Sequence, residues 1–184
     1  MPTSLYFVRH GQTAANRSFK FSGQIDLPLT NLGKQQASAC RNSLHNLHFD
    51  AVYCSPLTRA RDTATLATSG LPGIPEITYD DRLIERDFGT VDGKFAPFAM
   101  AKVWSYDKSY TKTHYGEETL LHLEFRVQEF LDMIREKHPD QTILVFSHGG
   151  VGAAIHALLN DTTRTGNFFK DFHLENGALT FFTL

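Results

Sequence analysis

Thr142-Ile143-Leu144-Val145-Phe146-Ser147-His148-Gly149-Gly150 is the stretch on which the fold turns. Its first five residues make an unbroken β-favouring run, the pattern of a strand buried on both faces. After the polar break at Ser147-His148, the segment Gly149 to Leu159 has the length and apolar content of a helix. A doubly covered strand that passes straight into a helix belongs to an α/β architecture, in which helical crossovers join parallel neighbours.

The alternation recurs on either side. Leu5 to Val8 reads as a strand, about Asn31 to Leu47 as a helix and Ala51 to Cys54 as a second strand. A helix from Pro56 to about Ala67 follows, with Ser55 as its cap, Pro56 at its first position and Gly70 as its stop. Leu120, Leu123, Val127, Phe130 and Ile134 recur at steps of three and four and share one helical face, with Pro139 just beyond. Asn176-Gly177 turns the chain into a last strand, Ala178 to Leu184. The expected fold is α/β, a three-layer α/β/α sandwich on a mostly parallel central sheet. Residues 1–184 read as one domain. At about 88–116 periodicity is poor and aromatics are dense, from Phe88, Phe95 and Phe98 to Trp104, Tyr106, Tyr110 and Tyr115. This reads as a lid or insertion over the sheet, its rings packed inward and a few lining a pocket mouth.

Composition sets outer bounds. The 184 residues carry 18 Lys and Arg against 20 Asp and Glu, a balance that speaks against binding nucleic acid or anionic lipid by net charge but leaves a local basic pocket open. Cys40 and Cys54 make no disulfide framework and match no zinc spacing with the nine histidines, so a cytoplasmic location is expected. The N-terminus reaches Arg9-His10 too soon for a secretion signal, and no apolar run approaches a membrane span.

In parallel sheets ligands sit beyond the carboxyl ends of the strands. Arg9-His10-Gly11 follows the first strand, Ser55 to Arg59 the second, and Ser147-His148-Gly149-Gly150 the run quoted above. Two guanidiniums beside two imidazoles suit a dianionic tetrahedral ligand, a phosphate ester, because each Arg can donate in parallel to two oxygens. Histidine can serve as the nucleophile. Glu85, in Leu83-Ile84-Glu85-Arg86-Asp87-Phe88-Gly89, follows the third strand region and can protonate a leaving oxygen. The plainer alternatives are a surface role for Arg59, an ion pair of Glu85 with Arg82 or Arg86, and Arg61 and Arg86 as solvated residues or supports for acidic neighbours. Histidines other than His10 and His148 match no motif. Three rival motifs fail. Cys54 to Arg59 is one residue short of a cysteine-phosphatase loop, with Pro56 removing an amide. Gly150-Val151-Gly152 meets Ile155 where a dinucleotide fold needs a small residue, and Ser147 lacks the preceding glycine of a nucleophile elbow. Cys54 is expected in the core.

Taken in order, these residues resemble the histidine phosphatase superfamily, which includes cofactor-dependent phosphoglycerate mutases and many small phosphatases. The resemblance runs through Arg9-His10-Gly11-Gln12-Thr13 with Asn16, Ser22-Gly23, Leu29-Thr30 with Gly33, Ser55-Pro56-Leu57 with Arg59-Ala60 and Thr63-Ala64, Glu85 with Phe88-Gly89, and Ser147-His148-Gly149. It implies a phosphoglycerate mutase-like fold and catalysis by His10, Glu85, Arg9, Arg59 and His148. His10 would attack phosphorus and Glu85 would protonate the leaving oxygen. Phosphate would be held by Arg9, Asn16, Arg59, His148, Gly149, Ser22 and Gly23. No metal and no other cofactor is implied, since the guanidiniums supply the positive charge.

The partner expected is a small phosphorylated substrate, with nucleic acid and membrane excluded and oligomeric state open. Family mutases carry a longer insertion after the acid and a longer tail. Gly116-Glu117-Glu118-Thr119 also sets an acid where the family's Gly-Glu-Ser has a hydroxyl. The reading is therefore a phosphatase acting on small phosphomonoesters. A phosphoglycerate mutase is the alternative, and a non-catalytic phosphate-binding regulatory module is an alternative of another class.

Overall fold

The structure, a computed structural model, describes residues 2–160 and 168–184. The chain runs β1 (Ser4–Arg9), α1 (Ala14–Arg17), α2 (Asn31–Leu44), β2 (Ala51–Cys54), α3 (Thr58–Thr68), β3 (Ile77–Tyr79), α4 (Pro97–Val103), α5 (Tyr106–Ser109), α6 (Leu120–Lys137), β4 (Thr142–Ser147), α7 (Gly149–Asn160), α8 (Phe168–Asp171) and β5 (Leu179–Thr183). The sheet order is β3-β2-β4-β1-β5, parallel throughout except for β5, which pairs antiparallel with β1.

The apolar run of β4 divides its side chains between two cores. Ile143 and Val145 join Leu5, Phe7 and the buried faces of α6 and α7. Leu144 and Phe146 join Val8, Val52 and Cys54 under α2 and α3. A sheet with helices on both faces is the expected three-layer arrangement, and it explains why β4 shows no alternation. All five periodic residues of α6 are fully buried. Cys54 lies in the core, where burial pushes its thiol up to about 12.

Two helix boundaries differ from those expected. α3 begins at Thr58 behind Leu57, which makes no side-chain cap. Ser55 and Pro56 stay outside it: the Ser55 hydroxyl accepts from His148 at 2.7 Å and more weakly from Leu57 N at 3.4 Å, while Asp26, from a distant loop, accepts from both the Thr58 amide and its hydroxyl at 2.7 Å. α2 ends at Leu44, short of Leu47. Within 88–116 the chain forms α4 and α5, each too short to carry a readable apolar period.

Arg86 is a larger correction. Read as solvated or as a support for acidic neighbours, it is fully buried beneath 88–116. Its guanidinium donates to Glu118 O at 2.7 Å, to Ser109 Oγ at 2.7 Å and to Val103 O, and lies 5.5 Å from the Trp104 ring centre. Burial pulls it down to about 10, with Glu117, Glu118 and Glu85 pulling the other way.

Candidate active site

Register brings the strand ends together. Arg9 is paired with Ser147, and Cys54 with Phe146. The ladder runs one residue further, with His10 N donating to Ser147 O and Ser55 N to Phe146 O, both at 2.9 Å. His10 and His148 therefore emerge side by side, their ring centres 5.1 Å apart. The chain after His10 must then pass close to α2: a Cβ at Gly11 would stand 2.3 Å from Gly33 O, so only glycine fits. Gly11 N donates to Thr63 Oγ1 at 3.0 Å, which ties this turn to α3.

Hydrogen-bond partners fix both imidazole tautomers. His10 Nδ1 lies 2.7 Å from Gly11 O, which can only accept, so Nδ1 carries the proton and Nε2 keeps a lone pair. His148 Nδ1 lies 3.2 Å from Arg59 Nε, which can only donate, so Nδ1 accepts and Nε2 donates to Ser55 Oγ at 2.7 Å. Both histidines are held well below their ordinary value, first by burial and next by the Arg59 charge. Each is neutral at neutral pH.

A cavity of about 610 Å³ opens above His10. Arg9, His10, Asn16, Ser22, Glu85 and Gly149 line it. Arg9 donates through Nη1 to Leu174 O, while its buried Nε has no partner among the described residues. Arg9 thus lines the cavity with a guanidinium whose donors are not all engaged among the described residues, which suits an anion. Asn16 Oδ1 accepts from Thr13 N and Thr13 Oγ1 at 3.0 Å and from Asn176 Nδ2 at 3.3 Å, so what the side chain can offer a ligand is its NH₂ group. Glu85 Oε1 accepts from Arg86 N at 2.9 Å and Gly150 N at 3.1 Å, which holds the carboxylate at the start of α7. The alternative ion pairs of Glu85 are not formed: Arg82 pairs with Asp80, and Arg86 turns away.

Three residues that the resemblance assigns to phosphate have polar groups engaged within the protein. Arg59, His148 and Gly23 are absent from the cavity lining. Arg59 is fully buried and donates to Ile25 O at 2.9 Å, Ser22 O at 3.0 Å and Gly23 O at 2.7 Å, so its donors hold the 22–25 loop. His148 has both ring nitrogens engaged beneath His10. The Gly23 amide donates to Asp92 Oδ1 at 2.6 Å. Glu118 likewise turns from the cavity and pairs with Arg126 at 2.7 Å.

Sequence reasoning missed Asn176, whose Nδ2 donates to His10 O at 3.0 Å and to Asn16. In the sequence Asn176 reads only as part of the turn into β5. Sequence reasoning also missed Phe19, Lys20, Phe21, His173 and Glu175 in the cavity lining; none sits at a strand end or in a motif that carries the resemblance.

Comparison with known proteins agrees with this geometry. The family model described as histidine phosphatase superfamily (branch 1) matches residues 5–184. A Bacillus subtilis (strain 168) protein named "Uncharacterized phosphatase PhoE" is 31% identical over 179 residues, covering 97% of this chain and 86% of that one. The metal-independent phosphoserine phosphatase of Arabidopsis thaliana is 30% identical over 176 residues, covering 91% and 73%. The alpha-ribazole phosphatase of Shigella flexneri superposes with a TM-score of 0.82 at 28% identity, covering 97% of this chain and 89% of that one. With its strand-end histidines and its full-length match, the chain belongs to the histidine phosphatase superfamily.

Proposed function

We propose that this chain is a phosphatase that hydrolyses small phosphomonoesters through a phosphohistidine on His10, without a metal. The observation that carries the reading is the His10 tautomer: Nδ1–H is committed to Gly11 O, so Nε2 keeps its lone pair free on a residue that lines one cavity with Arg9 and Glu85.

In the first step Nε2 attacks phosphorus as the ester P–O bond breaks, and the Glu85 carboxyl gives its proton to the departing alkoxide. In the second, water attacks phosphorus, Glu85 carboxylate takes the water's proton, the P–N bond breaks and neutral His10 is restored. Arg9 and the Asn16 amide bind the phosphoryl oxygens. Arg59 acts from below, as positive charge in a water-poor site and as the clamp on the 22–25 loop. His148 is a positioning residue, bridging Arg59 to Ser55.

A phosphoglycerate mutase must hold a second phosphate near the first. Beyond Arg9, the cavity walls include Phe21, Phe88 and Trp104, and among the described lining residues Lys20 is the one further lysine or arginine, with the Glu175 carboxylate in the same lining. That lining favours hydrolysis. The test incubates the protein with a panel of phosphomonoesters, follows phosphate release and traps phosphohistidine by acid-free mass spectrometry. Release that disappears in His10→Ala, with the trapped phosphoryl group on His10 in the natural chain, is expected. Isomerisation of 3-phosphoglycerate in the presence of a bisphosphate primer, outpacing phosphate release, would convert the reading to a mutase; phosphate binding without turnover would convert it to a regulatory module.

A further inference from the structure

Phe19 follows the C-cap of α1 with φ +53, in the left-handed region where glycine is ordinarily found at the end of a helix. A bulky side chain there is disfavoured, and no core compensates it, since Phe19 is 82% exposed. Neither backbone preference nor packing accounts for a phenylalanine at this place. Its ring lines the cavity above His10. Strain retained beside a site is a pointer to what the site binds.

The surroundings agree. Phe21 packs on Phe88 with ring centres 4.8 Å apart, and Phe88 on Trp104 at 5.1 Å, forming a buried aromatic wall of the same cavity. Phe95 is 64% exposed and also lines it. The leaving group of an ester seated on Arg9 and His10 therefore lies among rings. Lys20 and Glu175 stand there too, but both are exposed, and exposed ion pairs change affinity by a few-fold at most.

Resting on the phosphatase reading, the geometry points to a substrate class: phosphate esters whose alcohol is uncharged and carries an aromatic or similarly bulky apolar group, selected by Phe19 and Phe95. The test compares kcat/KM for 2-phenylethyl phosphate, glycerol 3-phosphate and O-phosphoserine, all alkyl esters, so that leaving-group acidity does not mimic recognition. The phenylethyl ester is expected to lead by about tenfold or more, the effect of burying one ring. In Phe19→Gly that ratio should collapse towards one while the melting temperature does not fall, because glycine suits the left-handed position; Phe95→Ala should lower the ratio independently. A ratio near or below one in the natural chain, with phosphohistidine still formed, overturns the substrate class and leaves the phosphatase reading standing. No turnover of any ester and no phosphohistidine overturns both.

Discussion

The Gly150 amide donates to both carboxylate oxygens of Glu85, at 3.1 and 3.2 Å, and a methyl group at Gly150 would stand 2.4 Å from Glu85 Oε1. The glycine both holds the acid and leaves room for it. Gly150→Ala should therefore displace the carboxylate, the flexible partner, without unfolding α7. A displacement of about 1 Å at a proton donor costs up to roughly a hundredfold in rate. The expected outcome is a fall in kcat of about ten- to a hundredfold with a melting temperature close to that of the natural chain. Unchanged kcat would detach Glu85 from the proton transfer.

Acid should destabilise the protein over a defined window. His10 and His148 are held well below 6.5 in the folded chain by burial and by Arg59. Below 6.5 the unfolded chain binds protons that the folded chain refuses, so stability rises with pH there and is lost as pH falls. Each histidine contributes a slope of up to about 1.4 kcal/mol per pH unit. His173 is shifted the same way but is exposed, and counts for less. The lowered carboxyls Asp80, Glu117 and Glu118 act only at lower pH. Urea midpoints should drop from pH 7 to pH 5.5, and the drop should shrink by roughly half in His10→Gln. A flat profile contradicts the buried neutral pair.

Much of this site was legible because it is written at strand ends. An apolar run such as Thr142 to Phe146 fixes a strand, and a strand fixes where Ser147 and His148 emerge; the same logic delivered Arg9, His10 and Glu85. What was not legible depends on which partner claims a polar group. Ser55 and Pro56 have every local feature of a helix start, but His148 takes the Ser55 hydroxyl and Asp26 takes the Thr58 amide. Arg86 reads as a surface cation until the chain of 88–116 folds over it. The left-handed backbone of Phe19 has no sequence signature, because the residue that sits there is the wrong one for it.

That buried Arg86 makes the aromatic excursion part of the fold. Its guanidinium satisfies Glu118 O, Val103 O and Ser109 Oγ at once, a fork that no single ammonium reproduces. Arg86→Leu strands those acceptors and is expected to cost about 3 kcal/mol or more. Arg86→Lys should recover only part of that loss. Hydrogen exchange of α4 and α5 should accelerate in both variants ahead of exchange in β4. Equal protection of α4 and α5 in the variants and the natural chain would show that Arg86 does not anchor them.

Asn176 offers the sharpest separation of positioning from folding. Its NH₂ group bridges His10 O and Asn16 Oδ1, so it braces the backbone of His10, the proposed nucleophile, and turns the Asn16 amide towards the cavity. Removing the bridge in Asn176→Ala loosens both, and KM for phosphomonoesters should rise several-fold as Asn16 loses its orientation, with kcat falling about tenfold as Nε2 loses its aim. Asn176→Asp is the more telling variant. It keeps the size of the side chain but faces two acceptors with a third and adds a negative charge beside the phosphoryl site. If the bridge works through its donors, Asp is worse than Ala in both kcat and KM, and single-turnover formation of phosphohistidine slows in the same order. If Asn176 merely fills space at the turn into β5, Asp is the milder change, and the rate of phosphohistidine formation follows the melting temperature instead.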